Sequence, residues 1–314
     1  MAWISPILST IAVTRVIGKK IYQEAQVMDH SVKVKKSLMI CFMIIAMFTI
    51  FAPGLFASEE EKPATDVTVA VLSQYLWRGY ELSRNGVVIQ PSLTVGYKGF
   101  SVNIWGNLDA KPYYSGAAPD KSYSSAWNET DVTLAYSKAM GPFTVGGGYI
   151  YYGLGALNQD LADRLDSQEI FASLGLNTLL SPTLTVYKEI DHYHNWYMLL
   201  GISHVFELSK IMSLKLAASA GYLLSSDETT YPKFDGNALA TTDKFNNFHD
   251  GSVTASMPLK VMKYVTVTPI VSYVFPLSRD ARNEMKGFGL KGTATNAERD
   301  SSFLYGGVSA SFSF

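Results

Sequence analysis

The sequence predicts an all-β protein: a transmembrane antiparallel up-and-down β-barrel of about twelve strands, preceded by a signal peptide. Three observations carry this expectation. Apolar and polar residues alternate with a period of two from residue 66 to the C-terminus. Short connections alternate with longer polar ones along the same stretch. The one long apolar run lies near the N-terminus, so nothing after it crosses a membrane as a helix, and a membrane-resident chain must then close its strands.

The N-terminal run comes first. Lys33, Lys35 and Lys36 form a basic start, and Leu38 to Ile50 is apolar except for Thr49. Pro53 and Gly54 then break the run, and Ala57 supplies a small residue for cleavage before Ser58. This is the layout of a secretory signal peptide over residues 33–57, and the run is short for an uncleaved anchor. Residues 1–57 therefore read as an N-terminal extension plus signal, and 58–314 as the barrel. Met28, just ahead of the basic residues, is the expected start of translation, which makes 1–27 an extension. Cys41 is not a lipid attachment site, because Ile40 before it is bulky and the apolar run continues past it; it is expected to leave with the signal.

Composition narrows the function classes. The chain has 314 residues, 26 basic and 27 acidic, and its charged fraction of 17% is below the roughly 25% of soluble domains. Aromatic residues make up 13% of the chain, too many for a disordered polymer. Six of the 26 basic and two of the 27 acidic residues fall in 1–57, leaving 20 and 25, a net of −5. A nucleic-acid partner would need a basic footprint that is not there. A single Cys excludes a disulfide framework and a cysteine zinc site. The mean hydropathy of +0.08 is too low for a bundle of membrane helices and suits a barrel with one apolar and one polar face.

The strands are expected near 66–78, 86–97, 99–109, 126–138, 143–153, 167–178, 183–192, 195–207, 211–224, 248–258, 263–275 and 302–314. In the first, Val67, Val69, Val71, Tyr75 and Trp77 share one face; in the last, Leu304, Val308, Ala310, Phe312 and Phe314 do. Lys98-Gly99, 139–142, 179–182, 208–210 and 259–262 are the short turns. The intervening connections, 79–85, 110–125, 154–166, 193–194, 225–247 and 276–301, are mostly longer. Short turns at one end and long loops at the other separate this pattern from a secreted β-sandwich. Tyr75, Trp77, Tyr97, Trp127, Tyr136, Tyr149, Tyr151, Tyr222 and Tyr273 fall near strand ends, where an aromatic girdle is expected. In 183–192 the phase set by Leu184 and Val186 turns Lys188 toward lipid, so either a bulge shifts the phase or Lys188 sits high enough to snorkel.

Ser73-Gln74-Tyr75-Leu76-Trp77-Arg78-Gly79, then Gln90-Pro91-Ser92-Leu93 and Trp105-Gly106-Asn107, resemble the opening of the TorF-family porins, small outer-membrane barrels. The resemblance covers about forty residues well and the rest by layout. It implies a porin-like barrel in the outer membrane and leaves the solute open. Phe314, with Phe312 two residues before it, is similar to the C-terminal signal by which the barrel-assembly machinery recognises its substrates.

With the apolar set toward lipid, the opposite set faces the lumen. It is rich in Gly, Ser, Thr and Ala, too small to fill a wide barrel, so water-filled volume is expected. Arg78, Asn103, Asp109, Glu129, Asp131, Glu169, Glu189 and Asp191 are the candidate pore-lining residues, and opposed charges among them would filter solutes. The expectation is passive diffusion of small hydrophilic solutes through a barrel in contact with lipid and lipopolysaccharide. It needs no cofactor, and its oligomeric state is open. The alternative is a structural or adhesive barrel with a plugged lumen. In it the loops 225–247 and 276–301 fold inward or outward; the second, with mixed charge, reads as a solvated loop.

An enzyme is not expected. In the outer-membrane phospholipase family, also twelve-stranded, the nucleophile follows its His by two residues on one face. Here His249 and Ser252 are three apart and in a regular strand point to opposite faces, so they pair only across a bulge. His192 and His194 read as solvated loop residues, with no metal site. Gly146-Gly147-Gly148 has no helix after it and is not a phosphate loop.

Overall fold

A computed structural model describes residues 63–84, 86–112, 125–155, 166–191, 193–290 and 294–314. The expected signal, the extension before it, Met28 and Cys41 lie outside the described residues, as do His192 and the middles of the connections after residues 112 and 155. The chain begins with β1 (Ala64–Leu72), the short β2 (Leu76–Trp77) and β3 (Tyr80–Glu81), and β4 (Val88–Tyr97). It continues with β5 (Phe100–Asp109), β6 (Ala126–Met140), β7 (Phe143–Leu154), β8 (Ser167–Leu176), β9 (Thr183–Glu189) and β10 (Asn195–Glu207). Then come β11 (Ser213–Ser225), β12 (Pro232–Phe234), β13 (Ala240–Lys244), β14 (Asn246–Ser256), β15 (Leu259–Lys260) and β16 (Val265–Pro276). Helix α1 (Arg279–Phe288) precedes the last strand, β17 (Phe303–Ser313).

Twelve long strands, β1, β4 to β11, β14, β16 and β17, form a closed antiparallel barrel. Each pairs with the next, β11 reaches over to β14, and β17 returns to β1, where Val67 lies opposite Phe312 on one side and Leu93 on the other. Closure leaves no unpaired edge, which is the condition for β-structure in hydrocarbon. All twelve expected strands are present, eleven of them beginning and ending within about three residues of expectation.

The alternation sets the faces. Val67, Val69 and Val71 on β1, Leu134 and Tyr136 on β6, Ile170 and Leu174 on β8 and Val308 and Phe312 on β17 are exposed on the outside. Among the described residues no helix is long and apolar enough to cross a membrane. The Lys98-Gly99 turn joins β4 to β5 with both residues at positive φ, +50° and +86°, the two-residue hairpin geometry whose twist matches its strands. That turn lies at the end of the barrel where β1 begins and β17 finishes, since Ala64 pairs with Gly96 and Thr65 bonds to Phe314.

Three expectations change in detail. The first strand stops at Leu72, not at 78. The chain leaves the wall at Ser73, and β2 and β3 form a small hairpin whose turn is Arg78-Gly79, at φ +48° and +83°. Tyr75 and Trp77 therefore do not belong to a girdle: Tyr75 is buried, and its ring packs 5.5 Å from Trp105. Trp127, Tyr136 and Tyr273 remain exposed on the outside. Second, residues 279–288 are helical. Ser278 caps α1 by accepting from the Ala281 N–H at 3.0 Å, and Ala281, Glu284 and Met285 form a buried stripe. Third, β9 carries no bulge. Its register with β10 runs unbroken from Trp196–Lys188 to Gly201–Thr183. Lys188 faces outward next to the long-connection end of its strand, with Nζ 5.1 Å from the Trp196 ring, so it snorkels.

Candidate functional site in the barrel lumen

The lumen has two halves. Toward the short turns its lining is small: Gly146 and Gly148 on β7, Ala217 and Ser219 on β11, Ser309 and Ser311 on β17. Hydroxyl pairs tie neighbouring strands there, Thr68 with Ser311 at 2.6 Å, Ser219 with Ser252 at 2.7 Å and Thr254 with Ser272 at 2.8 Å. Side chains this short leave space at the centre of a twelve-stranded barrel.

Toward the long connections the lumen is occupied. The β2–β3 hairpin folds in from one side and α1 from the other, and they meet. A side chain on Gly79 would collide with Met285 of α1, and Tyr80 donates to Glu284 of α1 at 3.1 Å. The hairpin projects Arg78 into a bidentate ion pair with Glu169 of β8, both bonds 2.7 Å. Tyr152 of β7 donates to the same carboxylate at 2.9 Å. The guanidinium is also sandwiched among Trp77, Tyr187 and Tyr197, 4.5, 4.6 and 4.3 Å from the ring centres. Burial opposes its charge, but the Glu169 carboxylate dominates and holds the Arg78 pKa above its ordinary range.

The network continues across the barrel. Tyr197 of β10 donates to Asp250 at 2.9 Å, and Asp250 lies 3.1 Å from Nδ1 of His249 on β14. Nε2 of His249 lies 2.8 Å from Glu284. Two carboxylates facing the two ring nitrogens suit a doubly protonated imidazole, which donates at both. A continuous chain of polar contacts thus runs from β8 through the hairpin to β10, β14 and α1.

This layer separates two cavities. One, about 450 Å³, lies on the long-connection side and is lined by Trp77, Tyr152, Leu154, Glu169 and Asn195, among others. The other, about 290 Å³, lies one step nearer the short turns, against Ile150, Leu199 and Ser219. Trp77 and Tyr152 border both, and Arg78 borders the second.

The expected pore residues fall into distinct places. Glu129, Glu169 and Glu189 are all buried, all point inward and all line the larger cavity. Asp131 lies on the same wall, with Oδ1 buried and without a hydrogen-bond partner among the described residues. Arg78 joins them from the hairpin rather than from the wall, so the cation of the constriction is paired with one acid instead of standing on an opposed basic face. Asn103 lies nearer the short turns, where its amide donates to Ser92 and Thr94 at 2.8 Å each. Asp109 is buried and accepts from the Lys111 N–H at 2.8 Å, bracing the end of β5. Glu189 accepts from the N–H groups of Asp191 and His194, at 3.0 and 2.6 Å, and so shapes the connection after β9. Asp191 is exposed on the rim, where Gln168 donates to it at 3.1 Å. Phe312 and Phe314 are exposed on the outside, rings 5.2 Å apart.

His249 and Ser252 need a bulge to share a face, and β14 has one. The register with β11 slips between Ala220 and Tyr222, which leaves His249 and Asp250 both buried inward and Ser252 on the lumen face beside Ser219. Pairing still does not follow. Both ring nitrogens of His249 face carboxylates, and Ser252 is bonded to Ser219. No cluster of metal-ligating side chains occurs among the described residues. Sequence reasoning weighed His249 only as a partner for Ser252 and did not place it, Asp250, Glu284 or Tyr197 in this network. The signal for α1 was present, in Ser278 followed by Ala281, Met285 and Phe288 at helical spacing.

Fold and site define a transmembrane β-barrel with a charged, aromatic constriction in one half of its lumen. No protein-family model matches the chain, and no curated protein matches it in sequence. Among solved structures it is similar to the NanC porin, with TM-score 0.46 and 11% identity over 79% of this chain and 98% of that one. It is also similar to the COG4313 outer membrane channel from Pseudomonas putida F1, with TM-score 0.44 and 9% identity over 83% and 99%. LpxR from Salmonella typhimurium matches with TM-score 0.43 and 8% identity over 79% and 99%.

Proposed function

We propose that this chain is an outer-membrane channel for passive diffusion of small hydrophilic solutes, narrowed by its own in-folded hairpin and helix. The observation that supports this best is the pair of cavities meeting at Trp77 and Tyr152, with a small-residue lumen beyond them. A barrel meant to be solid has no need of a hollow half, and a constriction of fixed charges is how pores sort solutes. The pore-lining set is then Arg78, Glu129, Asp131 and Glu169 at the constriction, with Asn103 on the wide side. Glu189 supports the wall, and Asp109 and Asp191 act at the rim. Acids outnumber Arg78 there, so cations and neutral solutes pass more readily than anions. Phe314 and Phe312 serve as the assembly signal, and lipid and lipopolysaccharide contact the outer face.

Liposome swelling with solutes of increasing size tests the reading. Swelling is expected with the smallest polyols and not with disaccharides. Liposomes that fail to swell with any solute, from wild type and from Arg78→Ala alike, would favour the plugged structural barrel, which the cross-lumen network also supports.

A further inference from the structure

The larger cavity has a chemistry more specific than passage requires. Its volume of about 450 Å³ lies in the range that holds a small organic molecule. Trp77, Tyr80, Tyr152 and Tyr231 give it aromatic walls. Its charged lining is one-sided: Glu81, Glu129, Glu169 and Glu189 contribute carboxylates, and among the described residues no Lys or Arg lines it. Asn195, only 2% exposed, lines it too, and its Oδ1 accepts no hydrogen bond among the described residues. Carboxylates and an amide oxygen accept hydrogen bonds, so what they attract must donate. Aromatic faces attract cations and stack on planar ones.

The protein itself makes this choice one layer away. The Arg78 guanidinium lies against three rings and is fixed by Glu169. Glu81 is likewise engaged by Arg84, at 2.9 Å. Glu129 is buried and forms no ion pair among the described residues. We infer that the cavity binds small organic cations, an ammonium or guanidinium on a compact apolar body, with Glu129 and the Asn195 Oδ1 receiving the charged head and the Tyr and Trp rings enclosing the rest. This inference rests on the channel reading insofar as it puts the cavity on the solute path.

Calorimetric titration of the folded barrel in detergent micelles with benzylguanidinium, benzylurea and phenylacetate tests it on the unaltered chain. The three probes share a ring and differ in charge. Saturable binding of benzylguanidinium is expected, about tenfold or more tighter than the neutral urea, with no binding of the carboxylate. Glu129→Gln keeps the side-chain shape and should weaken the cation by about tenfold while leaving the urea unchanged. Equal affinity for urea and guanidinium, preference for phenylacetate, or no saturable binding would each overturn the assignment. Planar-bilayer recordings on the same preparation separate the two readings. Cation-selective binding without conductance supports the site and removes the channel; conductance without cation-selective binding removes the site and leaves the channel.

Discussion

Replacing Arg78 with Ala should destabilise this barrel far more than the loss of an ordinary surface charge. Arg78 and Glu169 have side chains only 11% and 2% exposed and share two bonds of 2.7 Å. Removing the guanidinium leaves the carboxylate buried with the Tyr152 hydroxyl as its remaining bonded donor among those described. Breaking a buried pair in this way costs about 3–5 kcal/mol, whereas an exposed pair costs about 0–1 kcal/mol. The stacking of Arg78 on three rings adds about 0.5–2 kcal/mol per desolvated contact, not fully additive. The expected loss for Arg78→Ala is therefore about 4–7 kcal/mol. Most of it is the stranded charge, so removing that charge as well should help. Arg78→Ala combined with Glu169→Gln should recover about 1–3 kcal/mol. Urea unfolding in lipid vesicles, followed by tryptophan fluorescence, measures both. A loss below about 1 kcal/mol, or a double variant less stable than the single one, would refute the reasoning.

Other expectations follow from the two faces and the plug. Val69→Arg, on the lipid side at the middle of β1, should cost about 2–4 kcal/mol, and Ala70→Arg, one residue on and facing the lumen, much less; urea titration compares them. Gly79→Ala should destabilise by about 1–3 kcal/mol, because a Cβ there meets Met285 and φ is +83°. Glu284→Ala removes the partner of both Tyr80 and His249 and should speed proteolytic cleavage within residues 277–302 while the strands stay protected. Ser252→Ala should leave conductance and any trace esterase activity unchanged, since Ser252 is bonded to Ser219 rather than to His249.

The wall was legible in the sequence because a strand in a barrel has a fixed period and each face has its own solvent. Val67 to Val71 and Val308 to Phe312 had to face lipid, and a slip of one residue would have turned them inward. The contents of the lumen were not legible, since alternation does not show where a chain leaves the wall. Tyr75 and Trp77 continue the period of β1, yet Arg78-Gly79 takes positive φ and turns the segment into the lumen. The bulge at His249-Asp250 was equally hidden. It depends on an extra residue opposite Gly221, whose own missing side chain leaves room for Tyr197 and Asp250. The mixed charge of 276–301 predicts a solvated loop, whereas Ala281, Glu284 and Met285 share one helical face and bury it. Glu169 was recognised as a lumen residue from its phase alone, but its partner came from a segment assigned to the wall.

The central claim is that a conducting lumen is narrowed by the layer around Arg78. Single-channel recording of wild type and Arg78→Ala in planar bilayers tests it most directly, with reversal potentials measured in a salt gradient. The account predicts a small, cation-preferring conductance in wild type and a larger one, with stronger cation preference, once the Arg78 guanidinium is gone. Silence from both folded proteins, or equal conductance in both, would contradict it.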